Sequence, residues 1–188
     1  MSDKIMALDL PMVDPLPPET QKYFDICREK LGIVPNVLSA HAFDIDKLNT
    51  FTAMYNDLML SDSGLSKLER EMIAVVVSSC NKCWYCLVAH GAAVRELSGD
   101  PKLGEALVMN FRVANLDAKR RAMLEFVEKL TETPAKIDAP DRAQLRDKGF
   151  TDREIFDIAS VAAFFNMTNR VAAATEMQPN DEYHAQFR

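Results

Sequence analysis

The hydrophobic pattern of this chain is helical almost throughout. From Asp44 on, Ile45, Leu48, Phe51, Tyr55 and Leu58 recur at three- and four-residue steps, which predicts an amphipathic helix. The run MIAVVVSSC at 72–80 is apolar on every side, so its helix is expected to be central and buried. Ser66 and Glu69 form an S-x-x-E capping box at its start, and Asn81 interrupts it. A further helix is predicted from about Lys82 to Leu97, with others at 102–112, 117–132 and 140–148 punctuated by Asp138 and Gly149. Thr151 and Glu154 make a second capping box ahead of a long helix toward Thr175. Residues 1–18 hold Pro11, Pro15, Pro17 and Pro18 and little periodicity, so they read as an extended arm. Pro17-Pro18 then leads into a helix ending at about Leu31, with Gly32 as its C′ residue. GIVPNV at 32–37 reads as a turn. Val75–Val77 has strand propensity, but the cap before it and the lack of a second strand candidate argue against a strand. The pattern predicts an all-α fold, with an arm at 1–18 and a single helical domain at 19–188.

Residues 65–90 slide onto 150–175 as a faint repeat. Ser66 meets Thr151, and Glu69/Glu154, Ile73/Ile158, Ala74/Ala159, Val76/Val161, Asn81/Asn166 and Ala89/Ala174 coincide. Both segments share a cap, a buried helix and an Asn. Glu71, Cys83, Cys86 and His90 of the first copy become Phe156, Thr168, Val171 and Thr175 in the second, so the second copy keeps the scaffold and lacks the ionisable groups.

Composition narrows the function. The chain has 188 residues, 48% hydrophobic and 27% charged, which suits one domain with a full core. Its net charge of -6 and lack of a basic patch disfavour nucleic acid. No secretory leader and no apolar run of membrane-spanning length is present, so no membrane partner is expected and the cytoplasm is the expected compartment. In a reducing compartment, a close cysteine pair is more often catalytic or metal-binding than a structural staple.

Three of the four cysteines lie in CNKCWYCLVAH, residues 80–90. On a helix, Cys83, Cys86 and His90 share one face at i, i+3 and i+7. Backbone N–H groups at the helix start favour a thiolate on Cys83, and C-x-x-C spacing lets a disulfide close with little strain. His90, one turn beyond Cys86, is placed to take a thiol proton directly or through water. Of the two acids on the buried helix, Glu69 has a capping role. Glu71 has none, and small Ala74 and Ser78 on its side let the cysteine helix come close, so Glu71 is the carboxylate expected to orient His90.

The remaining candidates have plainer readings. Cys27 and Cys80 read as packing residues, as do His41 and His184, which lack sequence partners. Zinc on Cys80, Cys83, Cys86 and His90 is the rival chemistry. All four fall within eleven residues and three share a helix face, a poor tetrahedron, so no metal and no cofactor is expected. Iron–sulfur ligation fits less well still, for want of a fourth cysteine at ferredoxin-like spacing. Trp84 points away from the Cys83/Cys86/His90 face and reads equally as a cavity lid, an interface anchor or a core residue.

The segment EMIAVVVSSCNKCWYCLVAHGAAV carries E-x₁₁-C-x-x-C-x-x-x-H. It resembles the alkyl hydroperoxidase D / carboxymuconolactone decarboxylase-like family. LGIVPNVLSAHA and DIASVAAFFNMTNRVAAA are similar to its peroxidase-related members, and the likeness runs from about residue 20 onward. The resemblance implies a helical homo-oligomer, a trimer or hexamer, that reduces hydroperoxides without a cofactor. It further implies that Cys86 becomes the sulfenic acid, that Cys83 is proton donor and resolving thiol, and that Glu71 and His90 form a proton relay. The reductant it implies is an external dithiol, a thioredoxin-like or lipoyl group. Two departures stand out. Tyr85 occupies a position that is histidine in well-studied members, and Cys80 adds a third thiol. The decarboxylase branch generally lacks the cysteine pair, which argues against lactone chemistry here.

Overall fold

Residues 72–77 carry no polar side chain, and the helix containing them lies at the centre of the molecule. This is the α4 helix, Lys67–Asn81, in which every side chain from Arg70 to Ser78 is buried. The computed structural model describes residues 4–188. Among them the chain forms ten α-helices and two 3₁₀ turns, with no strand. In order, α1 spans Pro18–Leu31, α2 Asn36–His41, α3 Ile45–Leu60, α5 Trp84–Ser98, α6 Pro101–Asn110, α7 Ala118–Glu132, α8 Ala139–Asp147, α9 Asp152–Ala174 and α10 Glu182–Ala185. The all-α expectation is met, and Val75–Val77 is helical. Apolar side chains of α4, α7 and α9 fill the principal core, with Met72, Ile73, Met123, Leu124, Ile158 and Phe165 essentially inaccessible.

Local chemistry sets most helix ends. Both expected capping boxes form: Ser66 with Glu69, and Thr151 with Glu154. Gly32 takes a left-handed conformation (φ 76°) and its N–H closes α1 on the Arg28 carbonyl. The segments bearing the two boxes run side by side in the same direction. Ser63, just before α4, donates to Asp157 of α9 at 2.8 Å, and Asn169 of α9 donates to Ser78 Oγ near the end of α4 at 3.0 Å. Asn81 and Asn166, matched by the sequence repeat, are hydrogen-bonded to each other at 3.1 Å. Arg70 is buried and donates to the carbonyls of Leu65 and Leu58, which ties the end of α3 to the start of α4.

Three boundaries differ from the sequence expectation. The segment read as a turn at 32–37 gives way to α2 from Asn36. That short helix is anchored from afar: the Asn36 N–H donates to Asn180 Oδ1 at 2.7 Å, and its side chain to the Gln178 carbonyl at 3.0 Å. The α5 helix starts at Trp84, not Lys82, because Lys82 turns left-handed (φ 54°) and Cys83 takes the N-cap position. The predicted 102–112 helix ends at Asn110, and a 3₁₀ turn follows at Phe111–Val113. The α10 helix and the Pro134–Lys136 turn were not foreseen. Of the N-terminal arm, residues 4–17 carry no regular structure and lie against the body, with Ala7 bonded to the Thr175 carbonyl and Val13 to that of Ala42.

Leu124→Ala, at a site with no accessible surface, is expected to cost about 2–5 kcal/mol. Ser66→Ala and Thr151→Ala, which remove only a cap, are expected to cost about 1 kcal/mol each. Urea denaturation, read as midpoint shifts at constant slope, measures all three.

Candidate functional site

Only Lys82 and Cys83 separate α4 from α5, so the chain reverses within one tight connection and α5 folds back along α4. That reversal places His90 over Glu71, nineteen residues earlier. The imidazole Nδ1 lies 2.6 Å from Glu71 Oε2, and both side chains are largely buried. Phe165 of α9 meets the His90 ring edge-on at 4.6 Å between centroids. Glu69 instead holds the Ser66 cap, so the structure separates the two acids as their sequence positions suggested.

Cys83 and Cys86 occupy the N-cap and third positions of α5, at 2% and 4% exposure. The Cys83 thiol is lowered to about 7. The largest cause is its hydrogen bond with the Cys86 side chain, supported by the backbone N–H groups of Cys86 and Tyr85 and by the His90 imidazole, against the opposing effect of burial. Cys86 moves the other way, well above the ordinary thiol range, because its thiol partners the Cys83 sulfur and because it is buried. Asn169 and Ser78, beside the Cys86 sulfur, act in the opposite sense and favour its anion. These two belong to a polar ladder across α4 and α9, in which Asn81 donates to Asn166 and Asn169, and Asn169 donates to Ser78. The pair therefore holds its first negative charge on Cys83, with the proton on Cys86.

Cys86, His90 and Glu71 open onto one cavity of about 720 Å³; Cys83 lies behind them, outside its lining. The walls come from α1, α2, α3, α4, α5 and α9 and from the C-terminal segment, and they are mainly apolar and aromatic. Burial, then the Glu71 charge, raises the phenols of Tyr55 and Tyr183, the latter to about 12, so both remain hydrogen-bond donors. Tyr183 is held there by buried Arg95, whose guanidinium donates to the Tyr183 and Gln186 carbonyls at 2.9 and 3.0 Å. Gly104 leaves the room that this side chain needs, since a Cβ there would lie 2.8 Å from Arg95 Cγ.

Cys80 stands apart from the pair. Its sulfur groups with carboxylate oxygens of Glu128 and Glu132, all within 4.8 Å of one another, the only such grouping of three among the described residues. The four-ligand set of Cys80, Cys83, Cys86 and His90 does not come together there. Burial and those two carboxylates push the Cys80 thiol up to about 11. Cys27 is a buried residue of α1, as expected, but also reaches the cavity wall. His41 is more than packing: its ring stacks on Phe51 at 4.4 Å and lines the cavity. His184 meets Trp84 in a tilted ring pair at 5.4 Å, and Trp84 is 57% exposed, which removes the core reading of that tryptophan. Sequence reasoning passed over Asn169, Tyr55 and Tyr183. Asn166 and Asn169 at i, i+3, just after the apolar run Val161–Phe165, were the available signal for the first; the tyrosines carried none.

The sequence model of the carboxymuconolactone decarboxylase family matches residues 46–129, which include Glu71, Cys83, Cys86 and His90. No curated protein matches the chain. Among solved structures, an uncharacterized peroxidase-related protein from Silicibacter sp. TM1040 is 71% identical, with 99% of this chain and 97% of that one aligned and a TM-score of 0.97. The alkylhydroperoxidase AhpD core of an uncharacterized peroxidase-related protein from Ralstonia eutropha JMP134 is 37% identical over 100% and 98% of the two chains, with a TM-score of 0.95. The debrominase Bmp8 shares the fold, with a TM-score of 0.78 at 19% identity over 98% and 96%. Family and fold together suggest a peroxidase-related role, and no helix among the described residues is long and apolar enough to cross a membrane. A chain this similar along its whole length to the Silicibacter and Ralstonia proteins, with the family match centred on its cysteine helix, belongs to the alkylhydroperoxidase AhpD / carboxymuconolactone decarboxylase-like family, among its peroxidase-related members.

Proposed function

We propose that this protein is a thiol peroxidase that reduces hydroperoxides with Cys86 and Cys83. The observation that carries the reading is the layered site: a cavity open to Cys86 and His90, a carboxylate 2.6 Å from the imidazole, and an acidic second thiol directly behind the first. In the resting pair the Cys86 proton crosses to the Cys83 sulfur, and the Cys86 thiolate is then stabilised by Ser78 and Asn169. That thiolate attacks the terminal oxygen of R–O–O–H. The O–O bond breaks, Cys86 becomes a sulfenic acid, and the departing alkoxide takes a proton from the His90–Glu71 relay and leaves as an alcohol. The Cys83 sulfur next displaces hydroxide from the sulfenic acid, forming the Cys83–Cys86 disulfide, and the hydroxide is protonated to water. Two electrons have passed from the thiols to the peroxide. An external dithiol restores the pair by exchange. Because both sulfurs are buried and the cavity leads to Cys86, a slender dithiol arm of the lipoyl kind suits the site better than a broad protein surface. We place the catalyst in the cytoplasm, working as a homo-oligomer.

Cys80 takes no part in this cycle. Burial, together with its neighbouring carboxylates, keeps it protonated, so it is a weak nucleophile at neutral pH.

One equivalent of hydroperoxide should consume two thiols and yield a linked Cys83–Cys86 peptide in mass spectrometry, unchanged in Cys80→Ser and absent in Cys86→Ser. A dominant Cys80–Cys83 link would overturn the assignment. Glu71→Gln and His90→Ala should each slow peroxide reduction by about 10²-fold, and the double variant by little more than either, since the two groups act as one unit. Glu69→Gln should lower stability and spare the rate. The depressed thiol sets the pH dependence. Below its folded value of about 7 the pair is fully protonated, so alkylation of the pair by iodoacetamide should rise as pH passes through about 7 and level off above it. In Cys83→Ser the midpoint should move upward; a midpoint unchanged there would place the acidic thiol elsewhere.

A further inference from the structure

All four tyrosines of the chain line the one cavity. Along one wall the rings form a continuous series. His41 stacks on Phe51, Phe51 meets Phe164 at 5.6 Å, Phe164 meets Phe165 at 5.4 Å, and Phe165 meets His90. An imidazole therefore stands at each end of an aromatic wall. Hydrogen peroxide needs none of this: a cavity of about 720 Å³ falls in the range of sites for whole organic molecules. Ring faces and edges also complement the quadrupole of another ring, which a saturated hydrocarbon does not.

The far imidazole is fixed chemically. His41 Nδ1 lies 2.7 Å from the Val37 carbonyl, which can only accept, so Nδ1 carries the proton and Nε2 presents a lone pair. Nε2 has no hydrogen-bond partner among the described residues, and His41 is one of the residues that line the cavity. The other side of the same backbone segment is held as well: the Val37 N–H donates to the Tyr85 hydroxyl at 3.0 Å. Tyr85 thus steadies the element that brings His41 to the cavity.

We propose that the substrate is an aromatic hydroperoxide whose ring bears a hydrogen-bond donor remote from the peroxide, and that His41 Nε2 accepts from that donor. The ring lies on the Phe51–Phe164 wall, and the peroxide meets Cys86 beside His90. His41 is then a specificity-determining residue, and it does not enter the redox step. The word hydroperoxide rests on the peroxidase reading; the ring seat and the acceptor do not.

Binding of unreactive product alcohols to the reduced full-length protein tests this by calorimetry. We expect 2-(4-hydroxyphenyl)propan-2-ol to bind about tenfold tighter than 2-phenylpropan-2-ol, the order of one well-made buried hydrogen bond. The phenyl compound should in turn bind several-fold tighter than 2-cyclohexylpropan-2-ol. His41→Phe, which keeps a ring on Phe51, should abolish the first preference and retain the second; His41→Leu serves the same comparison if the phenylalanine variant folds poorly. Phe51→Leu should abolish the second. Equal affinity for the cyclohexyl and phenyl alcohols overturns the ring seat, and a hydroxyl preference that is absent, or that survives in the His41 variants, overturns the acceptor. Expected binding with no turnover of any hydroperoxide would defeat the peroxidase reading alone. Turnover of hydrogen peroxide with no binding of these alcohols would defeat this inference alone.

Discussion

Glu71 is a carboxylate in a helix buried along most of its length, and its contact with His90 is the constraint on which the site depends. Removing a carboxylate from water costs several kcal/mol unless a partner compensates. Here the compensation comes from one imidazole nitrogen, held on a helix that reaches Glu71 only because Lys82 turns left-handed and sends α5 back along α4. A helix packed elsewhere would leave the carboxylate unpaired. The same reversal puts Cys83 at the start of α5, where the Cys86 side chain first, and then backbone N–H groups, lower its thiol. One backbone feature thereby sets both the Glu71–His90 contact and the charge on the cysteine pair.

The paired segments around α4 and α9 explain how such a site is tolerated. Both begin with a capping box and pass through a buried apolar stretch, and both bring an asparagine to the shared interface. The second segment provides an apolar wall and the Asn169–Ser78 bond beside Cys86. Chemistry is thus concentrated in one copy, while the other supplies packing and hydrogen-bond donors. Every buried side-chain nitrogen and oxygen among the described residues has a partner, which is what a polar ladder inside a core requires.

Three thiols close in sequence have three environments. Cys83 is lowered by donors, Cys86 is raised by burial and by its neighbour, and Cys80 is raised by burial and two carboxylates. Sequence spacing treats these cysteines alike; the fields around them do not. The cavity draws a similar distinction, since it admits Cys86 and leaves Cys83 behind.

By itself the sequence determined the helical fold, both capping boxes, the Gly32 stop, the central position of α4 and the choice of Glu71 over Glu69 as partner for His90. Each is written locally, in periodicity, in a three-residue cap motif or in helical spacing. Tertiary structure decided what depends on residues far apart. Asn180 and Gln178 fix α2, and α2 carries His41 to the cavity. Arg95 pins the C-terminal segment and so delivers Tyr183. Asn169 reaches Cys86 from a helix more than eighty residues later. The start of α5 also escaped the sequence reading, because a left-handed lysine has no local signature: its strain is borne by the packing of α5 on α4. The catalytic candidates lie on one short stretch and could be read there. The cavity is assembled from six helices and a C-terminal segment, and no single stretch encodes it.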